Sequence, residues 1–177
     1  EPFEPAFPDD DAQYEAVHEV DVTALAPQVV LPGKVPGNSR DVDELAGTKI
    51  DQAFIGSCAN GRFEDLATAA EIVKGRHVAA GTRFIVTPGS TDVYRRALRA
   101  GIIQVLAEAG AIVTASTCGA CFGGHMGVLA PGERCITAST RNFKGRMGSP
   151  EADVFLASPS TVAASALAGA IADPRRV

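Results

Sequence analysis

The chain has 177 residues, enough for one α/β domain with a buried core or two very small ones, and too few for a many-domain architecture. Its 46% hydrophobic and 21% charged content is that of a folded globular protein, and no apolar run approaches the roughly 18 residues that a membrane span requires. With 16 Lys and Arg against 21 Asp and Glu, the net charge of -5 supplies no basic field for nucleic acid or anionic lipid. An anionic ligand would have to be held by local arginines.

Residues 1 to about 46 hold most of the 11 prolines, the acidic run Asp9-Asp10-Asp11, and short apolar stretches at Val17–Val22 and Val29–Leu31. They are expected to form an extended lead-in arm, 1–46, with one or two short strands. The opening Glu1-Pro2-Phe3-Glu4-Pro5 has neither the basic nor the apolar region of a secretory signal, so a reducing cytoplasm is expected. The missing initiator Met points to processing or to a piece of something longer. From Gly47 the pattern changes, and 47–177 is expected to be an α/β domain.

Ile50–Gly56 is a short apolar run ending in Gly, which predicts a strand, and Phe63–Val73 carries Phe63, Leu66, Ala67, Ala70 and Val73 at helical spacing. The alternation recurs. Arg83–Thr87 predicts a strand, Pro88-Gly89-Ser90 a turn, and Thr91–Ala109 helix interrupted near Gly101. Ala111–Ala115, Cys135–Ser139 and Val154–Ala157 predict further strands, and Ser160–Ala172 a closing Ala-rich helix. Strands alternating with helices predict a mostly parallel sheet covered by helices on both faces, whose ligands sit at the strands' carboxyl ends. Cys58, Cys118 and Arg141 each follow one of these strands.

The four cysteines could form two disulfides, but a chain this long needs no disulfide scaffold, and a reducing compartment turns thiols toward metal or catalytic work. Cys118 and Cys121 are separated by two residues in Thr117-Cys118-Gly119-Ala120-Cys121-Phe122-Gly123-Gly124, close enough to serve one metal centre, whereas Cys58 must converge by folding. Four readings compete. A thioredoxin-like pair wants a helix opening at its first Cys, which Gly123 and Gly124 argue against. A structural zinc site wants four ligands, and Cys135, the remaining thiol, lies in a strand-like run. Three thiolates alone suit a cubane iron–sulfur cluster with one iron free of protein sulfur. Ordinary buried cysteines are the fourth reading, although such cysteines do not need glycine-framed loops.

Five strings bear on this choice: Ile55-Gly56-Ser57-Cys58-Ala59-Asn60-Gly61-Arg62, Thr87-Pro88-Gly89-Ser90, the Thr117–Gly127 segment, Leu129-Ala130-Pro131-Gly132-Glu133, and Ser139-Thr140-Arg141-Asn142-Phe143-Lys144-Gly145-Arg146. In this order they resemble the aconitase superfamily, nearest its isopropylmalate dehydratase large-subunit and homoaconitase-type members, from about Val17 to the end. The resemblance implies the third, cluster-bearing domain of such a large subunit, a three-layer α/β/α sandwich. It implies a 4Fe-4S cluster on Cys58, Cys118 and Cys121, with the fourth iron left to substrate and water. The implied activity is that of a hydro-lyase of hydroxy di- or tricarboxylic acids, isopropylmalate in leucine biosynthesis foremost. Homoaconitase or aconitase-type hydration, or a non-enzymatic zinc or iron–sulfur module, are the alternatives.

Arg141 and Arg146 are five apart in a glycine-containing loop. Read by themselves they are solvated charges; the resemblance makes them the substrate-binding residues, and a guanidinium fork does match a carboxylate. Ser57 and Asn60 flank the first cysteine, where they would donate hydrogen bonds to cluster sulfur or cap the following helix. His125 is expected to be structural, Lys144 a surface charge, and Gly89-Ser90 either an anion cradle or an ordinary turn. Two positions depart from the family pattern: Ala59 where Thr is usual, and Thr140 where aconitases tend to have Asn. The family's acid–base groups lie elsewhere, in preceding domains and in a swivelling domain that isopropylmalate enzymes carry as a small subunit. The expected partners are therefore that small subunit, the upstream large-subunit domains and a small carboxylate substrate, with no nucleic acid and no membrane.

Overall fold

The computed structural model describes residues 4–33 and 37–177. Residues 4–27 run without strand or helix, and then Gln28–Val30 (β1) and Ser39–Asp41 (β2) lead into a helical turn, Val42–Leu45 (α1). Gln52–Gly56 (β3) is followed by the turn Ser57–Asn60 (α2) and the helix Phe63–Val73 (α3). Arg83–Thr87 (β4), Thr91–Arg99 (α4), Ile102–Glu108 (α5) and Ile112–Val113 (β5) come next. Gly119–Phe122 (α6), Arg134–Thr137 (β6), Asp153–Ala157 (β7), Pro159–Ala168 (α7) and a 3-10 turn, Pro174–Arg176, complete the chain.

The seven strands among the described residues join one sheet in the order β2-β1-β7-β6-β3-β4-β5. The five from β7 to β5 are parallel, and β1 lies antiparallel on β7 with β2 antiparallel on β1. β3 is central, and all five of its residues are buried, as a strand covered on both faces requires. Side chains alternate across the sheet. Ala53, Ile55, Phe84, Val86, Ile136 and Phe155 face a core completed by Leu66, Ala69, Ala70 and Val73 of α3, Leu106 of α5, and Val162, Ala163 and Ala166 of α7. Phe54, Ile85, Cys135 and Val154 face the other way, onto Ala120 of α6, Leu129, Met147 and Ala152. The three layers are therefore unequal: the long helices gather on one face, and irregular chain with the single turn α6 forms the other. That second face carries the cysteine pair.

Several expectations change here. Val17–Val22 forms no strand, and Val17, Val20 and Val22 are exposed; the segment pairs with none of the sheet's strands, and an unpaired strand leaves its backbone groups without partners. The closing helix ends at Ala168 rather than Ala172, where the chain turns back so that Ala170 bridges Lys49. β2 and α1 were not anticipated, because Ser39-Arg40-Asp41 is exposed throughout and has no apolar alternation to read. Val42 of α1 is nonetheless fully buried, as is Val29 of β1.

One ion pair braces the amino ends of β3, β4 and β6. Arg83 donates from Nη1 and Nη2 to the two oxygens of Glu133 at 2.8 and 2.9 Å, and its Nε–H reaches Gln52 Oε1 at 3.1 Å. The hydrogen bonds from Arg83 hold the Glu133 carboxyl below its ordinary range. The unfolded chain therefore takes up this proton first as pH falls. The pair's contribution is full above about pH 4.3, the ordinary glutamate value, and disappears as pH drops through the lowered folded value. Because Arg83 is 40% exposed, solvent limits the effect to about 1 kcal/mol. Glu133→Gln should accordingly lower the urea midpoint at pH 7 and leave it little changed near pH 3.

Candidate functional site

The carboxyl ends of the parallel strands open into a cavity of about 350 Å³, in the size range of cofactor and small-molecule sites. Its walls include Ser57, Cys58, Cys118, Cys121, Ser139 and Arg141, with Arg146, Thr140, Ala59 and Phe122 completing them. Three loops distant in sequence supply these side chains.

The first follows β3. Ser57, 4% exposed, opens the turn α2, and Cys58 next to it is exposed at the cavity. Asn60 donates from its side-chain amide to the carbonyl of Ala138, beyond the end of β6. It thus ties the Cys58 turn to the neighbouring strand rather than capping α3, whose first turn is closed by Asp65 accepting the Arg62 N–H at 3.0 Å. Gly61 ends this turn where there is no room for a side chain: its carbonyl accepts the Gly89 N–H at 2.7 Å, and a Cβ would stand 2.4 Å from Thr87 O. With Gly89 so engaged and Ser90 Oγ accepting the Val93 N–H at 3.2 Å as the cap of α4, the Pro88-Gly89-Ser90 segment serves as a structural turn.

The second loop carries the cysteine pair. Contrary to the expectation from Gly123 and Gly124, a helix does open here, with Cys118 at its cap and the Cys121 N–H bonded to Cys118 O at 3.0 Å. It lasts a single turn, because Gly123 takes the left-handed φ of 64° and packs against the Met147 backbone. Residues three apart on a helical turn are neighbours, about 5–6 Å between Cβ atoms, so both sulfurs reach the same cavity. His125 hydrogen-bonds through Nε2 to Thr117 Oγ1 at 2.9 Å, and the same oxygen accepts the Gly119 N–H at 3.3 Å, so the histidine braces the entry of the turn.

The third loop follows β6. Arg141 is exposed at the rim with Nη1 on its neighbour's Thr140 carbonyl at 3.2 Å. Arg146 is half-buried and clasps Cys121, donating from Nε to its carbonyl at 2.9 Å and from Nη2 to Sγ at 3.4 Å. The two arginines, equivalent in the sequence, thus take different places. Among the described residues neither pairs with a carboxylate. Lys144 is exposed and lies outside the cavity wall.

Two residues of this loop escaped the sequence reading. Asn142, 3% exposed, donates its amide to Leu31 O at 2.8 Å and Val154 O at 3.2 Å, anchoring the arginine loop to the sheet. Ser139 lines the cavity, 6% exposed, and its hydroxyl has no hydrogen-bond partner. No local pattern marks either position; only the long-range partners do.

All four thiols are free. Cys135 is fully buried on the second face of the sheet and is not part of the cavity wall, and burial pushes its thiol up to about 12. Alkylation of the folded chain at pH 8 should therefore label Cys58 and Cys118 first and the half-buried, Arg146-bound Cys121 more slowly, leaving Cys135 unlabelled until denaturant is added; mass spectrometry of timed samples reads the order. Among the described residues no three His, Cys, Asp or Glu side chains are gathered closely enough for a single metal ion. A zinc ion needs all its sulfurs about 2.3 Å from one centre. A cubane instead offers each thiolate its own iron, so soft donors spread around one cavity, with an unpartnered hydroxyl among them, suit a cluster.

A sequence model of the aconitase family (aconitate hydratase) matches residues 34–169. The chain is 62% identical over 175 residues to the 3-isopropylmalate dehydratase large subunit of Mycolicibacterium smegmatis, covering 99% of this chain and 42% of that protein. It is 55% identical over 171 residues to 3-isopropylmalate dehydratase large subunit 1 of Methanopyrus kandleri, with 97% and 41% covered. It is 52% identical over 175 residues to the corresponding large subunit of Halothermothrix orenii, with 99% and 41% covered. The chain spans about two fifths of the length of the curated relatives it matches. No helix among the described residues is long and apolar enough to cross a membrane.

Proposed function

Because this chain belongs to the aconitase family, we propose that it is the cluster-bearing part of a hydro-lyase that interconverts 2- and 3-isopropylmalate in leucine biosynthesis. The observation that carries the proposal is the convergence of Cys58, Cys118, Cys121, Arg141 and Arg146 on one cavity. In this reading Cys58, Cys118 and Cys121 hold a 4Fe-4S cluster through their thiolates. When bound, the cluster would supply Lewis acidity toward a substrate hydroxyl.

The chain's own residues bind and orient. Arg141, exposed at the rim, offers its fork to a substrate carboxylate, and holding that group fixes the hydroxyl-bearing carbon against the cavity floor. Arg146 keeps the Cys121 turn in place through the carbonyl and the sulfur, while the face of its guanidinium rests 5.6 Å from the Phe143 ring centre. It contributes positive charge to the same cavity, where a dicarboxylate gathers its second acid group. Asn60 fixes the Cys58 turn through the Ala138 carbonyl, and Ser57 lines the cavity beside Cys58, placed to donate a hydrogen bond to cluster sulfur. The base that takes the carbon-bound proton is assigned to a partner, the small subunit implied by relatives named as large subunits. The remaining large-subunit domains complete the pocket around the substrate side chain.

Anaerobic loading with iron and sulfide should give a chain of 4Fe-4S stoichiometry with the matching absorbance. Combined with the upstream domains and the small subunit, it should turn over isopropylmalate. In that assembly Arg141→Ala should lower kcat/KM roughly a hundredfold, since a charged hydrogen bond contributes about 1.5–3 kcal/mol. Stoichiometric zinc that persists through iron loading would overturn the proposal.

A further inference from the structure

We infer that Ser139 donates a hydrogen bond from its hydroxyl to a sulfur of the iron–sulfur group, on the side held by Cys58; this rests on the cluster reading above. Ser139 is 6% exposed, lines the same cavity as the three thiols, and its Oγ has no partner. Buried hydroxyls are almost always paired, and one left unpaired lowers stability, whereas an alanine in its place would carry no such penalty. The partner therefore comes from whatever fills the cavity.

Position identifies which atom that is. The backbone around Ser139 is held on both sides: its own N–H goes to Thr137 Oγ1 at 3.0 Å, the Ala138 N–H goes to Phe54 O at 2.9 Å, and the Ala138 carbonyl accepts the Asn60 amide. β6 runs beside β3 with Thr137 opposite Phe54, so the residue two further on lies next to the start of the Cys58 turn. Arg141, the carboxylate-binding group, is exposed at the rim. A buried hydroxyl on the wall shared with Ser57 and Cys58 meets the sulfur of the bound group before it meets a carboxylate. Donation to sulfur favours the more negative, reduced form of a cluster and so raises its reduction potential.

The test compares the 177-residue chain with Ser139→Ala and Ser139→Thr, each loaded anaerobically with iron and sulfide. Ser139→Ala should reach wild-type iron content, show a lower reduction potential, and lose its visible absorbance to a chelator about tenfold faster, the loss of one hydrogen bond. Ser139→Thr, which keeps the hydroxyl, should restore both. Without iron, Ser139→Ala should melt no lower than wild type, because the hydroxyl it removes has no partner within the chain. Potential and bleaching unchanged in Ser139→Ala would overturn the inference while leaving the cluster reading intact. A less stable iron-free variant would overturn it as well, by revealing an internal partner. A wild-type chain that takes up no cluster would instead remove the reading on which it stands, and the inference with it.

Discussion

Replacing Cys58, Cys118 or Cys121 singly by alanine is expected to reduce iron and sulfide uptake to background, while Cys135→Ala retains full uptake. The three thiols line one cavity, and no other Cys, His, Asp or Glu among the described residues lines it. In the proposed site, removing one would leave an iron without its protein ligand and open the cluster to solvent, so the expected loss is nearly complete rather than graded. Cys135 has a different environment. It packs fully buried among Phe54, Leu129 and Met147, with Gln52 Nε2 3.7 Å from its sulfur and its thiol donating to Ile136 O at 3.6 Å. Its replacement leaves a small void that costs about 1–2 kcal/mol in urea unfolding and does not reach the cavity. Iron and sulfide counted per chain, alongside the visible spectrum, separate the two outcomes. Loss of the cluster in Cys135→Ala with retention in Cys58→Ala would reverse the ligand assignment.

The second large effect is expected at a residue with no reactive group. Gly61→Ala should lower stability by about 2–3 kcal/mol and impair cluster uptake together. An added Cβ would stand 2.4 Å from Thr87 O, 2.6 Å from Ser57 O and 2.9 Å from Gly89 N. All three are backbone atoms, which cannot rotate away. Relief requires the Ser57–Asn60 turn to move off the end of β4, breaking the bond from the Gly89 N–H to Gly61 O and displacing Cys58 from the cavity wall. Urea denaturation measures the first effect and iron counting the second. A variant as stable as wild type, or one that loads normally, would show that the loop has slack the structure denies it.

Much of the scaffold was legible because its signals are local. The spacing of Phe63, Leu66, Ala70 and Val73 located α3, the Arg83–Thr87 run located β4, and the interruption near Gly101 separated α4 from α5, all as observed. Even there the core face was only partly foreseen: α3 buries Ala69, while Ala67 sits at its margin. The polar strand β2 and the one-turn helix at the cysteine pair were missed. Pairing with β1 creates the first, and the second is one turn long, shorter than any periodicity can report.

The site divides in the same way. The inventory of thiols and arginines, the glycine-framed loops and their placement after strands could be taken from residue order alone, since each is a matter of neighbours along the chain. Which thiol is left out, why Arg141 and Arg146 differ, what Asn60 and Asn142 fasten, and that Ser139, with its unpartnered hydroxyl, lines the same cavity as three sulfurs were decided by the tertiary structure. The physical reason is the strand order: β6 beside β3, with α6 folded back over β3 and β4, brings Ser57 and Arg146, 89 positions apart in sequence, onto one cavity through contacts that no local pattern encodes.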